Sequence, residues 1–191
     1  MQRLSAAIAL LLMVAMMASC ASTPSAMGPS MRSSGGIEAW PLSPRDLAAP
    51  LALQQQLVIE RGVQAQTFEA LLEADGEGLQ LAVQAMGQTA MSLHWDGNAL
   101  DEQRADWLPP QVDGARVLQD LQFALWPIGA LQRAAPIGWR VVEEGGDRRV
   151  FDGEGLVVRI HGNEANSFTL ERPRDGYRLR VISVELGGVE P

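Results

Sequence analysis

From Leu51 onward, apolar and polar residues alternate with period 2, in runs separated by glycine-containing turns. Leu57 and Ile59 alternate with Val58 and Glu60; Leu79, Leu81 and Val83 with Gln80, Ala82 and Gln84; Met91, Leu93 and Trp95 with Ser92, His94 and Asp96. Alternation of this kind puts one row of side chains on a buried face and the next in solvent, which marks half-buried strands. Asp75-Gly76, Asp96-Gly97, Asp152-Gly153 and Asp175-Gly176 fall between such runs, and Asp-Gly supplies the positive φ that tight hairpins need. Sequential antiparallel pairing of about ten strands follows, with no internal repeat. In the last third, a five-residue loop between His161 and Ser167 sets Ile160 against Phe168 and Val158 against Leu170. A turn over Pro173 to Gly176 then sets Leu170 against Leu179 and Phe168 against Val181, which makes one continuous apolar face. Arg159, Thr169, Glu171, Arg178 and Arg180 fall on the other face.

The alternation breaks once, between Pro109 and Pro136. Val117, Leu118, Leu121, Ala124 and Leu125 lie within about 120° of one another at ~100° per residue, which predicts an amphipathic helix. Pro127 stops it near Leu125, and a short second helix, Ile128 to Ala134, precedes Pro136. Phe123 and Trp126 fall off the apolar stripe. The expected fold is mainly β with an α insertion: a strongly curved antiparallel sheet, a half-barrel of about eight to eleven strands, with a helical lid or plug. Two readings stay open. Leu121 and its neighbours plug the barrel as ordinary core, or the helix covers a cavity whose candidate lining is Leu118, Leu121, Phe123, Leu125, Trp126 and Trp139.

Ahead of the strands lies a different kind of chain. Arg3 precedes a twelve-residue apolar run, Ala6 to Met17, that ends in Met17-Ala18-Ser19-Cys20. This reads as a signal peptide over residues 1–19 with a lipobox, Met17 standing where Leu is usual, and Cys20 as the lipidated first residue of the mature protein. The thiolate explains the cysteine, since it takes a diacylglyceryl group as a thioether. Twelve apolar residues are too few to cross ~30 Å of hydrocarbon as a helix. Ala21, in place of the Asp associated with inner-membrane retention, points to the outer membrane, facing the periplasm. Residues 20–50, rich in Ser, Ala, Pro, Gly and Met, are expected to form a flexible tether with a root-mean-square reach of roughly 30 Å. The domain is expected over 51–191.

Charge narrows the partners. Arg3 departs with the leader, leaving 14 basic against 23 acidic side chains, a net of −9. That balance argues against nucleic acid and anionic headgroups, which need clustered positive charge. Cys20 is the only cysteine, so once it is acylated the domain relies on its core without disulfides.

Catalytic chemistry has little support. His94 and His161 are the only histidines, and His94 shares the polar face of its strand. Ser167, His161 and Asp152 can be combined on paper into a nucleophilic triad, but no nucleophile-elbow sequence surrounds the serine. His161 with Glu164 is the nearest approach to a metal site, and no ligand-spaced thiols or carboxylates complete it. The expectation is therefore a non-enzyme without metal or cofactor.

Leu71-Leu72-Glu73-Ala74-Asp75, Gly87-Gln88 before Met91 to Trp95, Asp96-Gly97, Leu108-Pro109-Pro110 and above all Val117-Leu118-Gln119-Asp120-Leu121-Gln122-Phe123-Ala124-Leu125-Trp126-Pro127 resemble a family of uncharacterised proteobacterial lipoproteins. Its members are often encoded beside genes for aryl-polyene lipids, and the likeness covers about residues 50–184. That family is similar in layout to the Lol-pathway lipoprotein carrier and receptor, half-barrels whose helical lid covers acyl chains. The resemblance implies a lipid, an acylated protein or an aryl-polyene-type lipid as cargo. A carrier of acylated cargo needs an apolar cavity, an assembly scaffold needs an exposed apolar patch, and a hydrolase, the remotest reading, needs convergent polar groups in a cleft.

Overall fold

The computed structural model describes Trp40 and residues 42–109, 112–164 and 166–187, without the side chains of Asn163 and Glu164. Ten strands form one antiparallel sheet: β1 (Leu51–Arg61), β2 (Gln64–Ala74), β3 (Leu79–Ala85), β4 (Gln88–Trp95), β5 (Leu100–Arg104), β6 (Arg140–Glu144), β7 (Asp147–Asp152), β8 (Gly155–Glu164), β9 (Ser167–Arg172) and β10 (Tyr177–Glu185). Their order is β5-β4-β3-β2-β1-β10-β9-β8-β7-β6. Each half of the chain is a meander, and β1 joins the two by pairing with β10. The sheet is not closed, so β5 and β6 are its edges. Between these strands in sequence lie α1 (Gly114–Leu125) and α2 (Ile128–Ala134), so the chain passes from one edge to the other through the helices.

Inward-facing rows make the core. Leu53, Leu72, Leu79, Val150, Val158 and Leu170 are each below 2% exposed. The pairing of Leu179 with Leu170 and of Val181 with Phe168 agrees with the alternation. The neighbouring register does not: Ile160 pairs with Leu170, not Phe168. β8 runs on to Glu164 past an irregularity between His161 and Glu164, with Gly162 and Asn166 at φ 61° and 59°. The slip is two residues, one full period, so every side chain keeps its expected face.

The Asp-Gly turns work differently from the expected positive-φ mechanism at two of the four positions. Gly97 and Gly176 have positive φ, whereas Gly76 and Gly153 do not. Here the aspartate acts through its side chain. The Asp75 carboxylate accepts from the amides of Glu77 and Gly78, and that of Asp152 from Glu154, closing Asx turns.

Part of the expected tether also departs from the sequence reading. Trp40, Leu42 and Pro44 are buried, and Pro44–Asp46 form a 3-10 turn capped by Ser43. A tryptophan and a leucine supply apolar area enough to order a segment whose average composition reads as linker.

Candidate functional site

The candidate site is the helical segment and the concave surface beneath it. Asp113 caps α1 by accepting from the Arg116 amide at 2.9 Å. Trp126, extended ahead of Pro127, ends the helix, and its amide donates to the Gln122 carbonyl. Pro127 opens α2, its carbonyl accepting from Ala130 and Leu131.

Leu118 and Leu121 lie buried where the stripe predicts, and Leu125 is half-buried. Phe123 and Trp126, expected off the packed face, are also buried, at 0% and 1%. The reason is tertiary. Trp40 lies edge-on to Phe123, centroids 5.1 Å apart, and to Trp139, 5.8 Å apart. Trp126 packs against Trp95, and its indole nitrogen donates to the Ser43 carbonyl at 3.0 Å. The segment before β1 therefore covers the side of α1 that the sheet does not. Trp139, half-buried, joins this aromatic cluster through Trp40. Cys20 lies outside the described residues.

Three polar ties hold α1. At its C-terminal end, one Arg148 guanidinium nitrogen donates to the carbonyls of Phe123 (2.7 Å), Ala124 (3.3 Å) and Trp126 (2.8 Å). The remaining donors grip Glu143 at 3.0 and 2.9 Å. A cation against the orphan carbonyls of a helix end satisfies them and complements the helix dipole. In mid-helix, Asp120 accepts from Arg172 and from the Tyr177 hydroxyl, while Gln119 also accepts from Arg172. Burial pushes the Asp120 carboxyl upward against the opposing pull of Arg172 and Tyr177. Burial and that same carboxylate raise Tyr177. One helical turn earlier, Arg116 pairs with Asp175.

These ties escaped the sequence reading, although a signal was present. Phe168, Leu170 and Arg172 share one strand face, so Arg172 stands in an inward row. Arg148 pairs with inward-facing Ile160 and inherits the same orientation. Two other polar atoms of the interior, Trp40 Nε1 and Gln122 Oε1, are buried with no hydrogen-bond partner among the described residues.

The paper triad is not brought together. The His161 ring meets Asp147 at 2.8 Å and lies 3.7 Å from Glu171. Asp152 is held by Arg174 at 2.7 Å, and the Ser167 hydroxyl accepts from the Ser183 amide. His94 lies on the outer face, where a shallow open groove of about 380 Å³ crosses β2 to β5 beside Leu71, Glu73, Gln80 and Ser92. This groove is separate from the concave interior.

Residues 52–185 match the model of a family described as protein of unknown function, DUF3261. No curated protein matches the chain.

Proposed function

We propose, on the premise that the chain belongs to the DUF3261 family of unknown function, that its half-barrel takes an acyl chain or similar apolar moiety between the concave sheet and the helical segment. We propose also that a lipid on Cys20 holds the protein at the outer membrane, facing the periplasm. The observation that carries this reading is the way the open side is covered. Helices, not strands, lie over the apolar interior, and the last turn of α1 is held by the polar grip of Arg148.

The packed form is the resting state in this reading. A chain that enters displaces Phe123 and Trp126 and selects an opened state by its differential affinity. Asp120 keeps mid-helix on β9 and β10, so the moving part is the C-terminal turn of α1 together with α2. Each transferred methylene contributes roughly 0.8 kcal/mol, so eight carbons supply about 6 kcal/mol before ordering costs. Trp40 Nε1 and Gln122 Oε1, without a hydrogen-bond partner among the described residues, offer a donor and an acceptor to a polar group on the cargo. The role is non-catalytic.

Adding a long-chain acyl ligand to the processed protein should shift its tryptophan fluorescence, and mass spectrometry should find lipid in the purified protein. Leu121→Glu should abolish the shift, the comparison being made on variant protein whose circular dichroism is native. If no chain length binds, a second reading replaces this one: an assembly scaffold with a filled core, favoured by the burial of the Asp120–Arg172 pair inside the domain. The anchor is tested separately by fractionating Cys20→Ala. A variant that still pellets with membranes ends the anchoring idea.

A further inference from the structure

Alternate turns of an antiparallel meander lie at the same end of the sheet. The β1–β2 and β3–β4 hairpins, closed by the Arg61–Gln64 and Ala85–Gln88 pairs, therefore project from one rim. Val63 at the first tip is 103% exposed and Met86 at the second is 91% exposed. Trp107, which follows β5 at the same end, is 46% exposed. Single exposed apolar residues are ordinary. Two features set these tips apart.

The first is backbone. Met86 and Gly87 have φ 52° and 73°, the pair of positive angles that a type I′ turn requires and that Asn-Gly or Asp-Gly normally supplies. A methionine in that position is disfavoured by its own backbone and, exposed, gains no packing in return. Uncommon conformations of this kind persist where another function selects the residue.

The second is charge. In a chain of net charge −8, residues 61–66 and 84–89 contain no carboxylate, and Arg61 is their single charge. The turns at the opposite rim read Asp75-Gly76-Glu77 and Asp96-Gly97-Asn98. The two tips can thus enter a medium of low polarity without desolvating a carboxylate of their own, whereas the β2–β3 and β4–β5 turns cannot.

We infer that the two hairpin tips insert Val63 and Met86 into the interfacial layer of a phospholipid surface. The surface is zwitterionic, because the chain is acidic and the tips offer apolar side chains in place of a cationic cluster. The inference does not rest on the cargo reading, since a scaffold could sit on a membrane in the same way.

The test uses the processed full-length chain with an environment-sensitive fluorophore on Val63→Cys or Met86→Cys, and on Asn98→Cys at the opposite rim. The native chain, labelled in parallel, measures any signal from Cys20. Vesicles of phosphatidylethanolamine and phosphatidylcholine carry brominated acyl chains as quenchers. Labels at 63 and 86 should be quenched several-fold more than the label at 98, equally at low and high salt. Adding Val63→Glu to the chain labelled at Met86→Cys should return its quenching to the level of position 98. All three positions are exposed, so folding is not at stake. Equal quenching at the two rims overturns the inference. So does a spectral shift at the tips that grows with protein concentration in the absence of vesicles, which would make the partner a second copy of the chain.

Discussion

Arg172 of β9 and Asp120 of α1 meet inside the protein with side chains only 4% and 9% exposed, and the arginine Nε donates to the carboxylate at 2.8 Å. The second carboxylate oxygen accepts from Tyr177. Two charges removed from water in this way are tolerated only while each has its partner. Asp120→Ala should therefore cost about 3–5 kcal/mol, because it strands a buried guanidinium. Asp120→Leu with Arg172→Met should recover much of that loss. Urea denaturation of the three variants checks this, and a single-variant loss within ~0.5 kcal/mol would mean the pair is solvated.

Arg148 is the second tie. Hydrogen bonds to a charged donor are worth about 1.5–3 kcal/mol, so Arg148→Ala should lower stability by roughly that amount. Arg148→Lys should restore little, since an ammonium cannot reproduce the fork that spans three carbonyls and Glu143. Amide exchange should quicken first at Trp126, whose carbonyl Arg148 holds. In the cargo reading, Arg148→Ala should also bind acyl ligand faster than the parent. If ligand kinetics are unchanged while stability falls, Arg148 is a brace and not a latch.

The interior makes a packing prediction. Leu121→Ala should cost about 2–5 kcal/mol, and Phe123→Ala about 3–5 kcal/mol. Trp40→Ala should match Phe123→Ala in size, although Trp40 lies in sequence that reads as linker, because its ring is 3% exposed and packs on Phe123. Thermal or urea unfolding of Trp40→Ala decides this, and a loss within ~0.5 kcal/mol would place Trp40 outside the cooperative unit.

Acid should weaken one rim contact in a defined window. The Arg174 guanidinium hydrogen-bonds Asp152 and holds its carboxyl down at about 2, from an ordinary 3.8. A depressed folded value means that the contribution is present above pH 3.8 and is lost as pH falls toward 2. The stability gap between the parent and Asp152→Asn should therefore narrow across that interval. A gap of constant size from pH 5 down to 2 would show that ionisation of Asp152 contributes nothing.

Most of the scaffold was legible because its signals are local. Period-2 runs located the strands, Pro127 located the end of α1, and the Leu170–Leu179 pairing followed from the short turn at Pro173 to Gly176. The β8–β9 register was not legible, since the irregularity after His161 leaves no mark in the hydrophobic pattern. Within the candidate site, Leu118 and Leu121 could be read from helical spacing. Phe123 and Trp126 could not, because spacing tells which side of a helix is apolar but not how many surfaces surround it.

What the sequence by itself determined is the sheet, the break that carries two helices, and the face each strand residue takes, because steric alternation and proline chemistry act between neighbours in the chain. What only the tertiary structure decided is the meeting of Trp40 with Phe123, of Arg148 with the end of α1, and of Arg172 with Asp120. Each pair is brought together by the wrapping of an open ten-stranded sheet around its own insertion. Burial of that kind depends on distant segments sharing one core, which no local pattern encodes.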